Sequence, residues 1–432
     1  MTKESAALSP TRFRWVVVLL LFSITVINYI DRSAIAFAMP AVERELGLTP
    51  EQVGLVLGAF GLGYAVTTLL GGMAVDRFGP RAVLATTAAF WALSIGITGA
   101  ATGFLLLYLA RTLLGLAEGP SFPAMNGAVG RWLSPHEQAG ALAGALVAVP
   151  VALAVGGPLT TQLLAAFGWR GLFYILAALS LLWVPVWLVL FRNDPARSRH
   201  VDRSELAAIH QGRTSAWAVP DGRWPSRQDW RILLTNPTLL SNSWAFFVFG
   251  YFLFFFMGWL PSYLKDDYGL DLQAVGYFSV LPWAAAAVTL LLAGRLSDRL
   301  LQRTGRLRLS RTYPIAASQF IAALAVLPVG FTSDLNTAIV CITIAVAASM
   351  AANAAYFAVT LDVLPRKAAT ALGFMDACFA IAGFVSPAVT GWVYGLRGSF
   401  LDAFLLLSAV ALSSVVSLLL FHHPDRDRAE AV

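Results

Sequence analysis

Five consecutive residues, Asn28-Tyr29-Ile30-Asp31-Arg32, put a carboxylate beside a guanidinium inside an apolar run from about Trp15 to about Met39. At about 1.5 Å per residue, such a run crosses a hydrocarbon core of roughly 30 Å. A charge at the centre of a membrane helix costs about 2.5–3.5 kcal/mol on insertion scales, so both groups must face protein or water. They could staple helices together or reach for the interface. A substrate or proton site is favoured, because partners stand in a second apolar run: Arg111 and Glu118. Counted from the outer ends of their runs, Asp31 and Arg111 are expected at similar depth, within reach of a pair or a bridging water. Glu118 follows Arg111 by two helical turns, on the same face and about 10 Å further along. An arginine offers a carboxylate substrate a planar fork and keeps its charge. A buried carboxylate is pushed toward the protonated form by desolvation and away from it by an adjacent arginine. Substrate competing for Arg111 would then release Asp31 or Glu118 to take a proton. A neutral network that only joins helices is the alternative.

These residues need helices that span a bilayer. The chain has 432 residues, 58% hydrophobic and 12% charged, with mean hydropathy +0.70. Soluble domains carry about 25% charged residues, so a polytopic membrane protein is expected. Twelve apolar runs can be read, near 15–39, 51–74, 82–101, 104–130, 138–166, 170–191, 237–261, 272–296, 312–331, 335–360, 368–391 and 399–421. The first is too long for a signal peptide, and no cleavage site follows it. The two cysteines, Cys341 and Cys378, fall in apolar runs and are expected as free thiols. The one long polar segment, 192–236, holds turn signals and a short helix near Ser204–Gln211. It separates an N-terminal six-helix bundle (1–191) from a C-terminal bundle with a short tail (237–432).

Lysine and arginine set the topology. Of the 30, only Arg44, Arg170, Lys265 and Arg397 lie in the odd-numbered connections, and Arg32 and Arg111 lie within helices. The rest fall in the N-terminus, the even-numbered connections and the C-terminus. Both termini and the long loop are therefore expected in the cytoplasm. The net charge of +6 is a topology signal, so it gives no ground for a nucleic-acid partner.

The halves repeat a motif. After the second run comes Gly72-Met73-Ala74-Val75-Asp76-Arg77-Phe78-Gly79-Pro80-Arg81, and after the eighth comes Gly294-Arg295-Leu296-Ser297-Asp298-Arg299. The first resembles the cytoplasmic loop signature of the major facilitator superfamily, G-x-x-x-D-R-x-G-x-[RK]. With twelve runs and a central loop, the resemblance covers the whole chain. It implies an all-α membrane protein of two pseudo-symmetric six-helix bundles that rock about a central cavity. It also implies that Gly72, Asp76, Arg77, Gly79, Arg81, Asp298 and Arg299 gate the conformational change.

Within that superfamily, Asn28–Arg32 and Arg111-Thr112-Leu113-Leu114-Gly115-Leu116-Ala117-Glu118-Gly119-Pro120 resemble the anion:cation symporter family. So does Gly258-Trp259-Leu260-Pro261-Ser262-Tyr263-Leu264. That family includes bacterial sugar-acid transporters and the sialic acid and vesicular glutamate carriers. The resemblance implies Tyr29, Arg32, Tyr64 and Arg111 on the substrate side, joined by Asn353 and Asp376 from the C-terminal half. Asp31 and Glu118 would carry protons. Asp376, in Gly373-Phe374-Met375-Asp376-Ala377, stands where an asparagine is expected. Sugar-acid members often carry a glutamine on helix five, whereas Val149-Pro150 falls near that place here and Gln162 lies further along.

The expected function is proton-coupled uptake of a small organic anion across a bacterial-type inner membrane. A sugar acid, a mono- or dicarboxylate and an aromatic acid all fit. The protein is expected to act as a monomer without cofactor, the proton being the coupling ion. An exchanger or uniporter on the same fold is the runner-up, and a non-transporting sensor comes after it. An enzyme is disfavoured, since no phosphate-binding loop, nucleophile elbow or zinc spacing occurs. The glycines around Pro158 read as close packing, and the aromatics of Phe246–Phe256 as mostly lipid-facing or packing, with Tyr251 or Phe255 as pocket candidates. His422 and His423 are too few for a metal site.

Overall fold

The computed structural model describes residues 11–210, 227–364 and 368–427; within them, some side chains, those of Asp76 and Asp298 included, are not described. Helix α1 spans Phe13–Leu46, and Gly47 closes it in the left-handed conformation. Helix α2, Pro50–Gly99, starts in a capping box between Thr49 and Gln52. It breaks at Gly79, whose φ of +77° leaves the helical region. Helices α3 (Phe104–Glu118) and α4 (Ser121–Trp132) meet at Gly119-Pro120. Helix α5, Pro135–Leu190, has a capping box between Ser134 and Glu137 and breaks at Gly168.

The polar connection holds α6 (Arg203–His210) and α7 (Arg227–Thr235). Next come α8 (Pro237–Tyr268), α9 (Leu272–Phe278) and α10 (Val280–Thr304). A π-helical turn, Arg308–Thr312, enters α11 (Tyr313–Val326). The last elements are α12 (Leu335–Ala351), α13 (Asn353–Val363), α14 (Ala368–Arg397), α15 (Leu401–Phe421) and α16 (Pro424–Asp427).

The chain reverses at both glycine breaks. At one end Arg14 pairs with Glu137 and Glu205, and Arg81 bonds to the carbonyls of Leu188 and Phe191. At the other end Arg170 pairs with Glu45 and donates to the Ala101 carbonyl. Counting the rods on either side of Gly79 and Gly168, and joining α3 to α4, α9 to α10 and α12 to α13, the chain makes twelve crossings. Nine stretches among the described residues are long and apolar enough to qualify singly. The rod before Gly79 and the α3–α4 pair do not, and the two rods of α5 register as one stretch. The outer surface is apolar, with Leu19, Phe90, Leu105, Leu182 and Leu292 exposed, as a lipid-facing surface must be. Cys341 and Cys378 are both free.

Several sequence expectations change in detail. The Gly72–Arg81 motif is helical through Phe78, and the turn falls at Gly79. There a β-carbon would also lie 2.4 Å from Asn193 Nδ2. The expected surface helix near 204–211 is α6, but its Glu205 is fully buried. Glu205 accepts from the backbone N–H of Phe13 (3.1 Å) and Arg14 (2.9 Å), so it satisfies open donors at the start of α1. The aromatic run of α8 faces protein: Phe246, Phe249, Phe252, Phe255 and Phe256 are all buried.

Before and after the polar connection, the two sets of helices touch toward the end opposite Arg14 and Arg81. Glycines make this possible. A β-carbon on Gly58 would lie 2.7 Å from the Phe384 carbonyl oxygen, and one on Gly61 would lie 2.4 Å from Gly383 C. Gly157 of α5 meets the Gly276 carbonyl of α9 in the same way, at 2.9 Å. Small residues let helix backbones approach closely where apolar burial gives no driving force.

Candidate functional site

Between mid-depth and the basic end lies a cavity with two adjoining lobes. Tyr29, Tyr64, Phe122, Leu146 and Val149 line both. The first lobe adds Asn28, Arg32 and Glu118, and the second adds Asn353, Asp376 and a set of phenylalanines.

Arg32 is the centre of the first lobe. Its Nη2 lies 2.7 Å from Glu118 Oε2, and its Nε donates to the same oxygen at 3.2 Å. Nη2 also donates to Asn28 Oδ1 at 3.1 Å. The guanidinium carbon lies 4.2 Å from the Phe60 ring centroid, 4.5 Å from Tyr29 and 5.3 Å from Tyr64. Aromatic faces hold a cation and exclude water around it. Glu118 Oε1 is buried with no protein hydrogen-bond partner, as is Asn28 Nδ2. The network therefore has spare donor and acceptor capacity at the cavity wall.

Arg111 stands behind this wall. It is buried and lines neither lobe; its Nη2 donates to the Arg32 carbonyl at 3.4 Å. Among the described residues, no ion pair joins it to Asp31 or Glu118. Asp31 instead accepts from the Ser180 hydroxyl at 2.7 Å, with Oδ1 unpartnered. The structure thus brings Arg32, rather than Arg111, to Glu118. Sequence spacing left the partner of Arg32 open, because seven residues on one helix say nothing about which neighbour crosses it.

The crossing itself is set by glycine. A β-carbon on Gly115 would lie 2.0 Å from the Phe60 carbonyl oxygen, one on Gly63 2.1 Å from the Thr112 oxygen, and one on Gly119 2.1 Å from Thr67 Oγ1. The run from Arg111 to Gly119 therefore does two jobs. Its glycines seat α3 against α2, and that contact places Glu118 under Arg32.

Asp376 lines the second lobe, half-buried, with Arg32 as the cation acting on it. Asn353 lines it from the first residue of α13, just after the helix break, and its Oδ1 is buried without a partner. Tyr251 and Phe255 line neither lobe. Phe246 and Phe249 line the second lobe, so the expectation of packing holds for this run while the pocket-facing residues are others than Tyr251 and Phe255. The apolar character of every face of α8 was the available signal, since a helix apolar all round is buried or in lipid.

Of the expected gating residues, Arg81 ties the second rod of α2 to the end of α5, and its N–H donates to Asn193 Oδ1 at 3.0 Å. Arg77 and Arg299 are exposed. A β-carbon on Gly72 would meet nothing within 4 Å. The carboxylates of Asp76 and Asp298 lie outside the described side chains.

A bilayer-spanning helical body with a charged cavity at its centre defines a membrane carrier. The Major Facilitator Superfamily model matches residues 21–387, and the chain belongs to that superfamily, whose members are transporters rather than enzymes. It is 30% identical over 411 residues to the hexuronate transporter of Bacillus subtilis, covering 94% of each chain. It is 33% identical over 414 residues to a protein of Cupriavidus necator named "Probable sulfoacetate transporter SauU", again covering 94% of each. A bacterial homologue of the human lysosomal transporter Spinster, solved inward-facing and unoccupied, superposes with a TM-score of 0.75 at 19% identity. That match covers 98% of this chain and 99% of the other.

Proposed function

We propose that this chain is a secondary carrier that brings a small organic anion into the cytoplasm together with protons. The observation that carries the reading is Arg32, a permanent cation on the cavity wall held by a carboxylate. The similarity to transporters named for hexuronate and sulfoacetate supports an acidic substrate.

An incoming carboxylate competes with Glu118 for the Arg32 fork, flanked by Tyr29 and Tyr64. Glu118, displaced into a dry site, takes a proton, because an unpaired buried carboxylate is costly. Asp31 is the second proton carrier, with Arg111 as the fixed charge beside it. Asn353 and Asp376 contact the substrate from the other side. The excess of lysine and arginine at one end supports cytoplasmic termini in a bacterial-type inner membrane. The protein acts as a monomer without cofactor.

The bundles 1–191 and 237–432, joined by 192–236, rock about the cavity. The rod Pro50–Gly79 supports this. Its Gly58 and Gly61 are crowded against α14, while Gly72 near the basic end meets nothing. In the alternate state the contacts exchange, and Gly72, Asp76, Arg77, Gly79 and Arg81 close the basic end with Asp298 and Arg299.

The test is uptake by purified protein in liposomes of a labelled organic-anion panel, with and without an inward proton gradient. Uphill accumulation that needs the gradient is expected. Flux indifferent to the gradient would replace symport by exchange or uniport, and no flux of any anion would end the carrier reading.

A further inference from the structure

We propose that the cavity takes an aromatic carboxylate bearing a hydrogen-bond donor on the ring edge remote from the carboxylate. The inference rests on the organic-anion reading and narrows it.

The second lobe is walled by phenylalanine. Phe246 lies 5.2 Å from Phe379, 5.4 Å from Phe249 and 5.6 Å from Phe357, centroid to centroid, and all four rings line the lobe. Aromatic rings pair at centroid distances of about 4.5–7 Å in stacked or edge-on geometry, so these four already pack as one aromatic wall, and a planar ring can lie against its cavity face. A polyhydroxylated acid fits less well, because those of its hydroxyls that lie against the ring faces would lose water without a partner, the polar groups of this lobe being confined to Tyr29, Tyr64, Asn353 and Asp376. The wall shared by both lobes sets Phe122, Leu146 and Val149 beside the phenols of Tyr29 and Tyr64.

Two features orient such a ligand. Arg32 is the cavity's cation and lies in the first lobe, so the carboxylate goes there. Asp376 lies in the second lobe and accepts no hydrogen bond from protein among the described residues. An ionised carboxylate is acceptor-only. In its ionised form Asp376 selects a phenol O–H or an amino N–H and repels a second carboxylate. Glu118 lines the first lobe and not the second, so it stands apart from that donor.

The experiment uses the full chain in liposomes, with competition against labelled 4-hydroxybenzoate. The competitors are 4-aminobenzoate, benzoate, terephthalate, glucuronate and glucarate. Thermal stabilisation of the purified protein is read in parallel. 4-Hydroxybenzoate and 4-aminobenzoate are expected to bind about tenfold or more tighter than benzoate, as a site built for a hydroxyl discriminates. Terephthalate and both sugar acids should compete weakly. In Asp376→Leu the affinities for 4-hydroxybenzoate and benzoate should converge. In Asp376→Asn, which keeps the shape of the wall if the leucine variant misfolds, terephthalate should gain on benzoate. Equal affinity of the parent for benzoate and 4-hydroxybenzoate overturns the proposal. So does glucuronate or glucarate binding tighter than every aromatic acid, which leaves the organic-anion reading standing. Absence of binding and flux with every anion overturns both.

Discussion

The two walls of the cavity share a plan and differ in chemistry. Each includes a crossing broken at the cavity, at Gly119-Pro120 on one side and Ala352 on the other. Each break presents a polar side chain, Glu118 or Asn353. The N-terminal wall then adds a netted cation, while the C-terminal wall adds rings and the single acid Asp376. Burying a charge is tolerable only with a partner, so the charges collect where partners already cross. The aromatic wall is left to read shape. On the proposed function, recognition of charge falls chiefly to one half of the pseudo-symmetric scaffold and the substrate's body meets both.

The hardest test of that division is Arg32→Gln. It should abolish binding and uptake, and it leaves Glu118 buried without its cation, at a cost of about 3–5 kcal/mol in stability. Adding Glu118→Gln should restore the thermal midpoint but not uptake, separating folding from recognition. Parent-like affinity in the double variant, with binding lost in Arg111→Lys, would move the anchor to Arg111 and undo the comparison.

Glu118→Gln alone should bind and exchange the anion yet fail to accumulate it against its gradient. Counterflow and pH-driven uptake measured on the same liposomes separate the two. Retained uphill uptake would transfer coupling to Asp31.

Gly61→Ala should cut turnover about tenfold or more while altering affinity less, because its β-carbon would meet backbone at 2.4 Å when α2 closes on α14. Labelling of a cysteine introduced nearby, at the end opposite Arg14, should rise as that side opens. Unchanged labelling and turnover would show that this contact does not gate.

The smallest effect is expected for Asp376→Asn with a simple anion such as benzoate. Removing a like charge from the far wall should tighten binding a few-fold at pH 8 and change it less at pH 5. Superimposable binding curves for parent and variant from pH 5 to 8 would deny Asp376 any electrostatic part.

Much of this was legible in the chain before folding. Twelve crossings follow from apolar runs matched to bilayer thickness, although the structure breaks three of them and continues two pairs through a glycine. Arg32, Arg111, Asp31 and Glu118 stand out because ionised groups inside apolar runs demand explanation. Which aromatics of α8 face the cavity was not legible, since lipid and protein interior select the same residue types. Glu205 was equally hidden, because its buried position under α1 depends on a contact almost two hundred residues away in sequence.

By itself, the sequence determined the membrane class, the repeat, the set of intramembrane charges and the close-packing glycines beside Pro158. These are local facts of hydropathy, charge and spacing along one chain. Only the tertiary structure decided that Arg32 takes Glu118 while Asp31 turns to Ser180, that Arg111 stands behind the wall, and that Phe246 and Phe249 face the cavity. Those outcomes depend on which helices cross and at what rotation, and helix crossing is set by long-range packing that no single helix encodes.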